Sequence, residues 1–320
     1  MRIYIKTPAR LQMGLIDLNG DLGRIFGGLG VGIDFPNVVL EAEEANGFSV
    51  VGEQTELVRV LAKRFSEMYK VQPRAHLLVR QTIPEHVGLG SGTQLALAVA
   101  VALAKLSKIE SSTQELASVM ERMQRTGVGT TIFERGGFVV DGGKALKNDL
   151  ATKSPPLIFD RSFPADWCFV VAIPKGAEGL ANDAEKAAFN QLPRMPAEDV
   201  GKICRLIMMK LIPSLVEHEI EDFGEGLTEI QVMIGDYFAE VQGGRYSNPA
   251  TADTIMFMQQ IGACGVGQSS WGPTCYGLFR KDDAEEAKFK VQAFLKNGVG
   301  GKTFTAKANN RGAFIRLTRQ

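Results

Sequence analysis

The chain has 320 residues, 45% of them hydrophobic and 22% charged, enough for a substantial core in one large or two medium domains. Its 36 basic and 36 acidic side chains leave no net charge, which argues against non-specific nucleic-acid binding, since that rests on a cationic surface. No apolar run reaches membrane-span length, because Leu95 to Leu106 is short and broken by Lys105, and four scattered cysteines with three histidines point to reduced thiols in a cytoplasmic protein rather than to a disulfide framework or a zinc site.

In chain order, Met1 to Lys6 alternates like a strand rather than a signal peptide. Pro8 to Gly32 reads as loop-rich, and Val38 to Glu44 and Phe48 to Val51 as strands. Glu53 to Tyr69 is an amphipathic helix with Leu57, Val60, Leu61, Phe65 and Met68 on its apolar side. The strand Ala75 to Thr82 runs into a glycine-rich turn and then an Ala/Leu helix. Ser112 with Glu115 three residues on is a capped helix start, and that helix is expected to reach about Arg125. A second glycine loop follows, then the strand Gly137 to Asp141. The pattern changes around Lys153-Ser154-Pro155-Pro156, which sets the expected domain boundary: residues 1–152 and residues 153–320. Trp167 to Ile173 is an apolar strand. Asn182 to Gln191, Asp199 to Leu215, Glu217 to Phe238, Ala250 to Ile261 and Asp282 to Asn297 read as helices. Thr274 to Arg280, Lys302 to Lys307 and Ala313 to Leu317 read as strands. The stripe Met208-Met209-Leu211-Ile212 reads as core or as a dimer face. The result is a two-domain α+β architecture.

The turn Gly88-Leu89-Gly90-Ser91-Gly92-Thr93 carries the chemistry. Small residues let the backbone approach a ligand, and the first N–H groups of the following helix lack internal partners and carry partial positive charge. That is an anion cradle. It lacks the Gly-Lys-Ser/Thr ending of a Walker loop and the full dinucleotide fingerprint. The glycines cluster in four places, Gly20 to Gly32, Gly88 to Gly92, Gly127 to Gly143 and Gly262 to Gly277, as expected of several loops converging on one ligand.

Three segments, in order and spacing, resemble the kinase superfamily of galactokinase, homoserine kinase, mevalonate kinase and phosphomevalonate kinase. They are Thr7 to Leu15, Pro84 to Gln94 and Gly265 to Cys275. The resemblance implies a ribosomal-protein-S5-like N-terminal domain and a ferredoxin-like C-terminal domain. The departures matter. Gly92 stands where those kinases have a serine that helps hold the metal, and Gly129 stands where they have the aspartate that acts on the substrate hydroxyl. Phosphoryl transfer needs both an oriented nucleophile and a held metal. Gly14 to Gly20, Gly23 to Gly30 and Phe133 to Gly143 resemble a narrower branch, the β-ribofuranosylaminobenzene 5′-phosphate synthases of methanopterin biosynthesis.

That branch implies condensation of phosphoribosyl pyrophosphate with 4-aminobenzoate or 4-hydroxybenzoate, releasing pyrophosphate and CO2, with Mg²⁺ as cofactor. Arg10, Arg24 and Arg135 would hold a phosphate or the benzoate carboxylate. Asp17, Asp21, Glu134 and Asp141 would bind Mg²⁺ or steady the cationic sugar. The expected catalytic set is Arg10, Asp17, Arg24, Glu134 and Arg135. Gly88, Leu89, Gly90, Ser91, Gly92 and Thr93 are expected to bind phosphate, and Asn19, Asp141, Gln268, Ser269 and Ser270 to line the cleft, with the metal ligands open. Each has a bland reading beside it: Asp17 as turn chemistry, Glu134 and Arg135 as an ion pair shaping their loop, His86 as structural, Trp271 as packing. Two other functions stay in view, an ATP-dependent kinase of the same fold and a non-catalytic binding protein that kept the anion site. A homodimer is expected from the size of the chain.

Overall fold

The computed structural model describes residues 1–123, 125–147, 154–176 and 182–318. The expected boundary at 152/153, and Lys153 with it, lies outside the described residues. Three sheets organise the chain. The first, in the order β14-β1-β4-β6-β5, comprises β1 (Arg2–Lys6), β4 (Val39–Glu44), β5 (Phe48–Gly52), β6 (Ala75–Gln81) and β14 (Phe314–Thr318). Its pairs are antiparallel except β5 with β6, which are parallel and joined through helix α1 (Thr55–Tyr69). Helix α2 (Ser91–Leu106) lies under this sheet with every residue from Gln94 to Ala104 buried. A helix apolar all round has no face to offer water and must sit in the core.

The second sheet runs β2-β3-β7-β9: β2 (Ala9–Asp17), β3 (Arg24–Ile33), β7 (Phe138–Asp141) and β9 (Leu157–Arg161), with β8 (Lys144–Ala145) beside β3. The third is antiparallel in the order β11-β12-β10-β13: β10 (Trp167–Pro174), β11 (Gly265–Gln268), β12 (Cys275–Arg280) and β13 (Gly301–Lys307). Strand β10 is buried on both faces, so it reads as an apolar run. Cys168, Val170 and Ala172 meet a cluster that includes Ile255, Met258, Val291 and Leu295. Trp167, Phe169 and Val171 join the main core with Phe163 and Phe223.

The helices of the second half are α5 (Asn182–Gln191), α6 (Ala197–Leu206), α7 (Ile212–Glu217), α8 (Ile220–Gln242), α9 (Pro249–Gln260) and α10 (Lys281–Asn297). In the first half, α3 (Thr113–Val119) and α4 (Val128–Arg135) complete the set. Two strands beyond residue 152 return to the first half, β9 to β7 and β14 to β1, so the sheets interleave across the expected boundary.

Four expectations are corrected. Pro8 to Gly32 is not loop-rich but the hairpin β2–β3. Its glycines serve close approach: a Cβ at Gly30 would lie 2.5 Å from the Leu11 carbonyl oxygen, and one at Gly28 would lie 2.8 Å from the Thr126 methyl. The helix starting at Ser112 has its capping box but stops at Val119, because Glu121 and Met123 take left-handed backbones (φ 52 and 65). The glycine loop after it is largely α4. The expected helix Asp199 to Leu215 is α6 and α7 joined by a π-turn, Ile207–Leu211. Pro213, which lacks an N–H and crowds the carbonyl one turn back, supplies the reason for the widened turn. In the methionine stripe Leu211 is buried while Met208 and Met209 are exposed. All four cysteines are free, and no helix among the described residues is long and apolar enough to cross a membrane.

Candidate active site

The glycine turn after β6 is built by conformations that favour glycine. Gly88 (φ 90) and Gly90 (φ 79) are left-handed, and Gly90 caps α2, so the first N–H groups of a 16-residue helix open on the turn. The turn is fixed from two sides. The Arg10 guanidinium on β2 donates to the Gly88 carbonyl at 3.0 Å. The buried Ser269 hydroxyl donates to the same carbonyl at 2.7 Å and accepts from the Gln12 N–H at 2.9 Å. The two glycine loops touch backbone to backbone: a Cβ at Gly88 would overlap the Ser269 carbonyl, and one at Gly272 the Val87 carbonyl. Gln231 of α8 completes the frame. It donates to the Met13 carbonyl at 2.6 Å and accepts from the Gln268 N–H at 2.8 Å.

A cavity of about 590 Å³ opens in front of this frame, within the usual range for a small-molecule site. Its wall is arginine-rich: Arg10, Arg64, Arg122, Arg125 and Arg245 all line it. Among the described residues the lining holds one carboxylate, Glu121, which bonds to Arg64 at 2.7 Å. Arg245 pairs with Asp236 at 2.7 Å. Burial pushes the Arg122 pKa down, and the charge of Arg64 adds to this against the pull of Glu121. Thr93 brings the glycine-turn end into the wall. Aromatic rings share the wall. Trp271 packs on Phe238 with centroids 4.4 Å apart and edge-on to Phe189 at 5.5 Å, and the Arg125 guanidinium lies 4.4 Å over the Phe189 ring. One cavity thus combines arginines with an aromatic cluster, and Arg125 belongs to both.

Of the expected residues, Arg10, Thr93, Gln268 and Ser270 line this cavity, with Gly88, Gly90 and Ser269 as its frame. Leu89 is buried and donates nothing from its side chain. Ser91 and Gly92 form the first turn of α2. Several others serve backbone elsewhere. Asp17 accepts from the N–H groups of Asn19 and Gly20, both at 2.8 Å, a turn motif. Asn19 donates to the Met195 carbonyl at 2.7 Å and accepts from the Asp21 N–H at 3.1 Å. Arg24 donates to the Gly142 and Gly143 carbonyls, both at 2.7 Å. Asp141 is buried and accepts from the Gly127 and Gly143 N–H groups, both at 2.8 Å; burial outweighs these bonds and pushes its pKa up to about 6. Glu134 accepts from Gln114 at 2.7 Å, and Arg135 pairs with Asp160 at 3.3 Å, half-exposed. The structure therefore does not bring Asp17, Arg24, Glu134 and Arg135 together with Arg10.

No trio of His, Cys, Asp or Glu among the described residues is gathered to hold a metal ion. The candidate carboxylates Asp17 and Asp141 accept from backbone N–H groups.

The fold and the glycine turn define the class. The family model described as GHMP kinases N terminal domain matches residues 56–135, and GHMP kinases C terminal matches residues 211–297. The Lactococcus lactis galactokinase complexed with galactose shares the fold, with a TM-score of 0.71 at 13% identity over 98% of this chain and 95% of that one. Within that class the chain belongs to the beta-ribofuranosylphenol 5′-phosphate synthase family. It is 34% identical to the Archaeoglobus fulgidus enzyme of that name, over 98% of this chain and 100% of the relative. It is 32% identical to the Methanothermobacter thermautotrophicus enzyme, over 98% and 99%.

Proposed function

We propose that this cavity condenses phosphoribosyl pyrophosphate with 4-hydroxybenzoate or 4-aminobenzoate, a step of methanopterin biosynthesis. The observation that carries the reading is a cavity whose wall combines an arginine cluster and a glycine turn with an aromatic trio. The donor brings phosphates for the arginines, and the acceptor brings a ring for the aromatic side chains. The phenol in the relatives' names favours the hydroxybenzoate.

The reaction balances without a side-chain nucleophile. The bond from ribose C1 to the pyrophosphate oxygen breaks, and its electron pair leaves with pyrophosphate. The ring carbon bearing the carboxylate attacks C1, helped by electron release from the para hydroxyl or amine. The carbon–carboxylate bond then breaks, its electrons restore the ring, and CO2 departs. The arginines of the wall take up charge on the leaving pyrophosphate, where preorganised donors act most strongly. The aromatic side chains orient the ring and exclude water from a cationic sugar centre. Mg²⁺ enters this proposal only as the companion of the donor's phosphates.

The test is incubation with phosphoribosyl pyrophosphate, Mg²⁺ and carboxyl-labelled 4-hydroxybenzoate or 4-aminobenzoate. Labelled CO2 and pyrophosphate appear in equal amounts and only with both substrates present. ATP hydrolysis that depends on a small alcohol, with no CO2 released, overturns the reading in favour of a kinase.

A further inference from the structure

We propose that Arg122 binds the diphosphate group of the donor and holds the pyrophosphate as it leaves at the mouth of the glycine turn. The identity of the anion rests on the function proposed above; the site itself rests on geometry. Arg122 follows α3 between Glu121 and Met123, which both have left-handed backbones at φ 52 and 65 without being glycine. Such residues are strained and concentrate at functional sites. Its own N–H donates to the Ala117 carbonyl at 2.7 Å, which pins the base of the side chain to α3.

The guanidinium rests on the first turn of α2. A Cβ on Gly92 would stand 3.4 Å from Nη1 and 3.6 Å from Nη2, so a longer side chain at position 92 would take the space the guanidinium fills. The Arg122 Nε is buried without a hydrogen-bond partner. Among the described residues no carboxylate pairs with it, because the adjacent Glu121 reaches Arg64 instead. A partly buried cation beside another arginine and a positive helix end is unfavourable until an anion arrives. Several oxygens of one diphosphate would satisfy the open fork of Arg122 and the N–H groups of α2 together.

The test is calorimetric titration of inorganic pyrophosphate into the full chain in EDTA, without acceptor. The wild type binds. Arg122→Gln weakens binding about ten- to a hundredfold, the range for losing a hydrogen-bonded charge, with an unchanged thermal melt. Arg122→Lys keeps the charge, loses the fork and falls between the two. The inference is overturned if folded Arg122→Gln binds pyrophosphate as tightly as the wild type, or if the wild type gives no binding in EDTA. The reaction is judged separately. Arg122-dependent binding in a protein that releases no CO2 leaves this site standing and removes the proposed function. CO2 release with Arg122-independent binding does the reverse.

Discussion

Arg10 and Arg24 sit on neighbouring strands and both reach into a glycine segment, yet their surroundings separate them. Arg10 touches the Gly88 carbonyl and faces the cavity, whereas Arg24 closes two carbonyls of the turn between β7 and β8. Arg10→Gln is expected to lower kcat/KM about ten- to a hundredfold, the range for a lost charge-assisted contact. Arg24→Gln is expected to cost about 1–3 kcal/mol of unfolding free energy. Steady-state kinetics and urea titration on both variants distinguish the two, and a reversed pattern refutes the division. Asp141 gives a pH test at the same scale. Its folded pKa, about 6, lies above the usual carboxylate value of about 3.9. The native state thus holds the proton more tightly than the unfolded chain. The stability it contributes is full below about pH 4 and is lost as the pH rises through about 6. The stability of the wild type minus that of Asp141→Asn should fall by roughly 2–3 kcal/mol between pH 4 and pH 7 in urea unfolding. A difference that stays level over that range contradicts the raised pKa.

The elements were legible wherever one local rule decided them. The apolar run of α2 and the capping box of α3 both announce themselves within a few residues. The hairpin β2–β3 did not, because glycine in a strand and glycine in a loop look alike in sequence. Only the partner strand shows that Gly30 must make room for the Leu11 carbonyl. The glycine turn was legible as a turn opening a helix, but its clamp was not, since Ser269 and Gly88 are 181 positions apart. That clamp predicts a sharp intolerance. Gly88→Ala meets both a positive φ and the Ser269 carbonyl, neither of which a methyl can avoid. A loss of roughly 2 kcal/mol or more is expected in urea unfolding. The KM for the donor should rise while that for the aromatic acid changes little. Equal effects on both substrates would separate the turn from donor binding.

At the scale of the molecule, the cavity wall draws on β2, the segment after α3, α5, α8 and the β11–β12 loop. That spread explains what sequence reading missed. Arg64, Arg122 and Arg245 each look like a residue on a solvated face, and nothing local marks them as converging. Arg125 stood next to a recognised motif, and Trp271 within another, yet Phe189 and Phe238 are ordinary helix residues until they meet Trp271. The assembled wall predicts which side chains meet which substrate. Phe189→Leu keeps most of the apolar volume but removes the ring under Arg125 and beside Trp271. An aromatic contact is worth about 0.5–1.5 kcal/mol, so the KM for the benzoate should rise about two- to tenfold while that for phosphoribosyl pyrophosphate stays put. Varying each substrate at saturating levels of the other reads this directly. If the donor's KM rises instead, the ring packs against the ribose phosphate and the aromatic trio is not the acceptor's site.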